Sequence, residues 1–311
     1  MKPTGRIDLN LSKHGALTQA YHRFLYNELP LDQWEDVGEL AEPIPPKHEY
    51  PVDWNLVKRW AAVCPSLAGV MGNAQNFNEV ALKLGWHYAW SRFAQHAYLL
   101  DAIEELYGND NPSPSMVIEP GCFTGGLMHF LAEKWPKTHC IGFDVSPVSL
   151  DVCSIYSDRL KQKNKPYWLE ADFAQIKPSD LPDSLGDFTA NGLVIISNTI
   201  ESIAAVFDRY SYLHKWNAKA RLISYWVNLG CTVLLAERAE NPTDVLQTIV
   251  NEGEWNNTGT GSEARIVSIF KAFSTTSMCE ENPLGKWYET DCYVMAFTPP
   301  KQKKRLPRRK K

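Results

Sequence analysis

Met116-Val-Ile-Glu-Pro-Gly-Cys-Phe-Thr-Gly-Gly126 is the stretch on which the fold turns. Met116, Val117 and Ile118 form a short apolar run after Asn111-Pro-Ser-Pro-Ser115, a segment of turn formers, and a buried strand begins in this way. Leu127, Phe130, Leu131 and Trp135 then recur at helical spacing, one apolar stripe that Pro136 closes. The glycines between strand and stripe therefore occupy a strand-to-helix turn. Such a turn aims the N–H groups of a helix N-terminus into the crevice at the carboxyl edge of a parallel sheet, where nucleotide-like ligands bind. The spacing narrows the choice of ligand. Gly121 and Gly126 match the ends of the Gly-x-Gly-x-x-Gly dinucleotide fingerprint, but Phe123 stands where its second glycine lets a pyrophosphate approach the backbone. No Lys-Ser/Thr pair follows, so a phosphate loop fails as well.

The acidic-x-Gly-x-Gly-x-Gly pattern met by Glu119, Gly121 and Gly125 resembles motif I of the class I S-adenosylmethionine-dependent methyltransferases, with Phe123 in place of the middle glycine. A ligand without a pyrophosphate tolerates that side chain better than a dinucleotide does. The resemblance implies a seven-stranded, mostly parallel Rossmann-like sheet flanked by helices. It also implies S-adenosyl-L-methionine as cofactor, its methionine end held by Glu119 and the turn of Gly121, Phe123 and Gly125. A purely structural glycine turn is the competing reading.

Downstream, Cys140-Ile-Gly-Phe-Asp144 reads as a second buried strand ending in an acid, 23 positions beyond Gly121. In the resemblance Asp144, with Val145 after it, matches the residue that accepts bonds from the two ribose hydroxyls, a task that suits a carboxylate. A dinucleotide enzyme places an acid similarly, and Ser146-Pro-Val offers a helix start that Asp144 could cap. Residues 147 to 163 read as a helix. Tyr167-Trp-Leu-Glu-Ala-Asp172-Phe173 follows as a third strand, and the resemblance implies that Asp172 and the Phe173 N–H meet the adenine edge. The fourth strand, Gly192 to Ile196, leads into Ser197 and Asn198, which in the family border the transferable methyl and the acceptor. That segment lacks the Asn-Pro-Pro-Tyr type of signature found where amino groups of nucleic acid or protein are methylated. Residues 203 to 228 read as a helix, Gly230 to Glu237 as a fifth strand, and Pro242 with Asn241 or Thr243 as the start of a further helix. Trp287 to Phe297 alternates as a strand, whereas 266–273 fits either a sixth strand or a helix.

The whole chain has 311 residues, 44% hydrophobic and 22% charged, the balance of a globular protein with a sizeable core. No apolar run reaches the ~18 residues of a membrane span. The first residues, Met1-Lys-Pro-Thr-Gly-Arg-Ile-Asp, lack the apolar segment of a secretory signal. Seven cysteines show no Cys-x-x-Cys and no Cys/His grid, so reduced thiols, a cytoplasmic location and no metal site are expected. The net charge of −4 hides a basic tail: eight cations between Lys301 and Lys311 leave about −12 on the other 300 residues. Such a body is unlike a nucleic-acid-binding domain, and nucleic-acid binding through Lys301–Lys311 is not favoured.

Three segments follow: an N-terminal arm and helical cap over 1–108, a methyltransferase domain over 109–300 and a disordered basic tail over 301–311. Within the first, a short helix is expected near Gly15 to Asn27, with the arm packed over the catalytic domain or touching substrate. Trp54, Trp60, Trp86, Tyr88, Trp90 and Phe93 crowd the cap, as core packing or as the lining of an acceptor pocket. The expected activity is methyl transfer from S-adenosylmethionine to a small-molecule or natural-product-like acceptor. Two alternatives stand beside it: a non-catalytic binding or scaffold protein, which Phe123 favours, and an RNA methyltransferase using the tail. Methyl transfer is an in-line displacement that needs mainly positioning and desolvation. Where a base is needed, Glu201 and His87 are the candidates. Sequence leaves the acceptor and the oligomeric state open.

Overall fold

The computed structural model describes residues 11–28, 93–108, 113–144, 147–171, 191–197, 212–238, 241–253, 255, 263–275 and 287–299. Its main elements in chain order are α1 (Ala16–Glu28), α2 (Phe93–Tyr107), β1 (Met116–Pro120), α3 (Gly126–Lys134), β2 (His139–Asp144), α4 (Pro147–Leu160), β3 (Tyr167–Glu170), β4 (Gly192–Ser197), α5 (Tyr212–Asn228), β5 (Thr232–Arg238), α6 (Pro242–Glu252), β6 (Glu263–Thr275) and β7 (Trp287–Thr298). The tryptophans at 54, 60, 86 and 90 and Tyr88 lie outside the described residues, as does the basic tail.

The seven strands form one sheet in the order β3-β2-β1-β4-β5-β7-β6. The first five pair in parallel, and β7 joins β5 and β6 antiparallel. The ambiguous segment at 266–273 is thus a strand, and β6 carries a register shift between Ile266 and Ser268. Strand order reverses between β1 and β4, so a crevice opens at their carboxyl ends. Pro242 starts α6 as read, and Asn241 caps it by accepting from the Thr243 and Asp244 N–H groups at 3.2 and 3.4 Å.

Side-chain alternation divides the core into two. Val117, Cys140, Leu193, Ile195, Leu234 and Ala236 face a cluster with α1, α2 and α3. Met116, Ile118, Ile141, Phe143, Val194, Val233 and Leu235 face the opposite cluster, with α5 and α6. Helix α3 is wrapped on nearly all sides: Leu127 through Ala132 are all buried. This exceeds the single stripe its spacing announced, because α1 and α4 flank it on the same sheet face.

Helix α1 docks through its own N-terminus. Asp101 of α2 accepts from the Gly15 N–H at 3.0 Å and the Thr18 hydroxyl at 2.7 Å, and its other oxygen lies 2.6 Å from His14 Nδ1. Glu104, one turn on, accepts from the Leu17 N–H at 2.9 Å. Two carboxylates of α2 thus take N–H groups that no helical carbonyl can reach, and their charge complements the positive end of the helix. Asp101→Ala is expected to cost about 1–3 kcal/mol. Hydrogen exchange should show α1 amides losing protection while those of β1 and β4 keep theirs.

His129 is buried in α3, its Nδ1 3.0 Å from Gln162 Oε1 while Gln162 Nε2 donates to the His129 carbonyl at 2.7 Å. Among the described residues no hydrogen-bond partner reaches Nε2. Burial disfavours the imidazolium and lowers its pKa to about 4. The unfolded chain therefore binds a proton below about pH 6.5 that the folded chain refuses, so this contribution to stability is lost as pH falls from 6.5 through 4. Relative to a His129→Asn variant, the wild type should lose about 1.4 kcal/mol per pH unit across that window, read from urea denaturation.

Candidate functional site

The turn after β1 has three residues of positive φ in alternation: Gly121 at 62°, Phe123 at 54° and Gly125 at 69°. Glycine takes that conformation freely, but for Phe123 it costs roughly 1–2 kcal/mol. Two side chains hold the strained residue at both polar groups. Asp144 Oδ2 accepts from the Phe123 N–H at 3.1 Å, and the Cys153 thiol donates to the Phe123 carbonyl at 3.0 Å. The Cys122 N–H reaches the Phe143 carbonyl at 3.0 Å, so the turn is tied to β2 twice. The Phe123 ring is buried in the helix-side core. The Phe123 side chain therefore fills the core beneath the turn.

Trp168 of β3 completes the support. Its ring covers both Gly142 and Gly125: a methyl group built on either glycine would stand 2.5 or 2.4 Å from the indole. Its Nε1–H points to the Ser157 hydroxyl at 3.2 Å. Gly125 is the N-cap of helix α3 and offers it no side-chain hydrogen bond.

Alternation places the polar groups. Glu119 stands one rung beyond Val117, Asp144 two rungs beyond Cys140, and Ser197 one rung beyond Ile195, so all three share the face of α1 to α4 at the carboxyl edge. Glu119 lies within β1 and Asp144 ends β2. Glu119 is 5% exposed, and its Oε2 has no hydrogen-bond partner among the described residues. Burial and then the Asp144 charge push its pKa up to about 8. The folded chain keeps a proton there that the unfolded chain gives up near 4.5, so stability falls as pH rises from 4.5 through 8. That slope opposes the one from His129 below pH 6.5 and acts alone above it.

Of the residues singled out in the sequence, Glu119, Gly121, Phe123, Gly125 and Asp144 come together around the turn, with Ser197 at the end of β4. Val145, Asp172, Phe173, Asn198, Glu201 and His87 lie outside the described residues. The Ala171 N–H bonds the Asp144 carbonyl at 3.1 Å, so the chain runs beside β2 up to the residue before Asp172.

Four further polar side chains are buried at this end. Tyr21 of α1 has its hydroxyl 3.2 Å from His96 Nδ1. Gln95 Nε2 donates to the Ala236 carbonyl at 2.8 Å, which fixes the first turn of α2 over the end of β5. Glu237 is 3% exposed in β5. Sequence reasoning passed over all four. Glu237 was within reach, since it closes an apolar strand as Asp144 does. Gln95 and His96, polar residues at the head of the apolar α2 face, were a weaker signal, and Tyr21 carried none.

Sheet order, antiparallel β7 and the glycine turn after β1 together define a seven-stranded, mostly parallel Rossmann-like α/β fold. No protein-family model and no curated protein matches the chain. Among solved structures, it is similar to magnesium protoporphyrin IX methyltransferase from Synechocystis PCC 6803 with bound SAM, at 14% identity over 80% of this chain and 99% of that one, TM-score 0.41. It is also similar to the [4+2]-cyclase SpnF, at 12% identity over 81% of this chain and 97% of that one, TM-score 0.45. A third, the YcgJ protein from Bacillus subtilis, has 12% identity over 66% of this chain and 99% of that one, TM-score 0.40. Among the described residues no helix is long and apolar enough to cross a membrane, and no His, Cys, Asp and Glu group of metal-binding geometry occurs.

Proposed function

We propose that the chain binds S-adenosylmethionine at the carboxyl edge of β1, β2 and β4 and transfers its methyl group to a small-molecule acceptor in the cytosol. The observation that carries this reading is the buried, unpartnered Oε2 of Glu119 beside a braced glycine turn. A carboxylate in that position costs stability unless a cation meets it. The ammonium of an amino acid is such a cation. Glu119 would hold it, the turn of Gly121 and Gly125 would pass the chain of the ligand, and Asp144 would face the ribose. Asp172, Phe173 and Asn198 belong to the same reading by resemblance.

When bound, the cofactor supplies an electrophilic methyl on a sulfonium. The chain's own part is to position, to exclude water and to remove a proton where the acceptor carries one. Burial of Glu119, Asp144 and Glu237 makes this edge a low-dielectric place in which a sulfonium sheds its hydration. Titration calorimetry with S-adenosylmethionine and its demethylated product tests the reading. Heat with both, followed by transfer of a labelled methyl into a metabolite of an extract, is expected. No heat with either would leave the fold without this ligand and favour the scaffold.

A further inference from the structure

We propose that Cys122 and Cys153 form a redox latch on the glycine turn: as thiols they brace it, and joined in a disulfide by a hydroperoxide they distort it and weaken ligand binding at this edge. Formation of the bond stands on the two sulfurs alone, whereas its effect on ligand rests on the reading of the turn as part of an S-adenosylmethionine site.

Contact between the sulfurs carries the inference. Cys122 lies in the turn and Cys153 in the second turn of α4, and with Leu150 they make a small core cluster of their own against Trp168. The two thiols share a hydrogen bond. Both sit beside the same indole: a methyl group on Gly142 would stand 2.7 Å from the Cys122 sulfur, one on Gly125 would stand 3.1 Å from the Cys153 sulfur, and the Trp168 ring covers both glycines. The Cys153 thiol also donates to the carbonyl of Phe123, the residue next to Cys122, at 3.0 Å. A disulfide needs its sulfurs about 2.05 Å apart, well inside the contact distance of two thiols. Closing that gap draws α4 and the turn together and removes the S–H that holds the Phe123 carbonyl. Phe123 would then have to keep its positive φ with one peptide group braced instead of two.

One hydroperoxide closes the electron count. Cys122, 6% exposed against 0% for Cys153, takes the peroxide oxygen first: the O–O bond breaks, a sulfenic acid forms and water leaves with the thiol proton. The Cys153 sulfur attacks the sulfenic sulfur, the S–O bond breaks, and the departing hydroxide takes the second thiol proton as water. Two thiols lose two electrons, and one peroxide becomes two waters. Burial first, then the bond to Cys153, hold the Cys122 thiol well above its usual range, and burial raises Cys153 too, so neither is a thiolate while the turn is closed. Oxidation therefore proceeds through openings of the turn, and a ligand seated there slows it.

Peptide mapping tests the bond and calorimetry its effect. The full chain is treated with a small excess of hydrogen peroxide, remaining thiols are capped in denaturant, and the peptides are identified by mass spectrometry. A cross-link between Cys122 and Cys153 should form, revert with dithiothreitol, and form about tenfold more slowly under saturating S-adenosylmethionine. The cross-linked protein should bind S-adenosylmethionine about tenfold more weakly. Cys122→Ser, which cannot form the bond, should keep its own affinity through the same treatment, which separates the latch from oxidation of the other thiols. The wild-type peptide map holds whether or not that variant folds. No cross-link between these two residues, an equal rate with ligand present, undiminished affinity of the cross-linked protein, or an equal loss in Cys122→Ser would overturn the proposal while the cofactor reading stands. A reduced wild type that binds no S-adenosylmethionine would overturn the cofactor reading and the latch's effect with it.

Discussion

Glu119→Gln is expected to do two things of opposite sign: weaken S-adenosylmethionine binding by about ten- to a hundredfold and raise the stability of the ligand-free protein near pH 8. Both effects come from one atom. Glu119 is buried in β1, its Oε2 lacks a partner, and burial with the nearby Asp144 charge lifts its pKa to about 8. An amide cannot ionise, so it behaves in the free protein as the protonated acid does. Between the unfolded value near 4.5 and the folded value near 8 the wild type progressively loses what the variant keeps, on the order of 4 kcal/mol by pH 8. At pH 4.5 the two proteins should be nearly equal. With ligand present the sign reverses, because glutamine offers an ammonium no charge, and a charge-assisted bond in a dry site is worth more than a neutral one. Urea denaturation at the two pH values, with and without ligand, reads all four quantities. A variant less stable than wild type at pH 8 would show that Glu119 is satisfied in the free protein.

The second large effect is expected at Gly142, in the middle of β2. Its neighbours across the sheet are Glu119 in β1 and Trp168 in β3. A methyl group there would lie 2.5 and 2.6 Å from indole carbons of Trp168 and 2.7 Å from the Cys122 sulfur. The indole cannot retreat without uncovering Gly125, and the sulfur cannot without moving the turn. Gly142→Ala should therefore cost about 1–3 kcal/mol through overpacking. Trp168→Leu should cost comparably by itself and relieve the clash with the indole, leaving the one with the Cys122 sulfur. The double variant should then be more stable than the sum of the two losses predicts, by about 1 kcal/mol or more. Strict additivity would mean that the ring does not rest on Gly142.

These residues also show which parts of the molecule a sequence discloses. The strand, the turn and the start of α3 were legible because each is encoded locally: an apolar run, glycines where φ must be positive, and an apolar repeat. Glu119 and Asp144 were legible because strand ends in a parallel sheet gather at one edge. The bracing of Phe123 was not, since nothing near residue 123 announces that Asp144 and Cys153 will take its two peptide groups. Trp168 reads as one more aromatic in a short strand until pairing lays it across Gly142. Residues 266–273 stayed open between strand and helix because an apolar segment of that length fits either, and only pairing with β7 decides. Tyr21 was the least legible, because its place beside β1 depends on carboxylates of α2 that fix α1.

Proton release on ligand binding tests the central claim, that an acid kept neutral in the free protein turns into the counter-charge of a bound ammonium. S-adenosylmethionine is titrated into the wild type at pH 7 in two buffers of different ionisation enthalpy. With the Glu119 pKa at about 8 in the free protein, close to one proton should leave per ligand bound, and Glu119→Gln should release almost none. Binding without proton release in the wild type, or equal release from both proteins, would contradict the account.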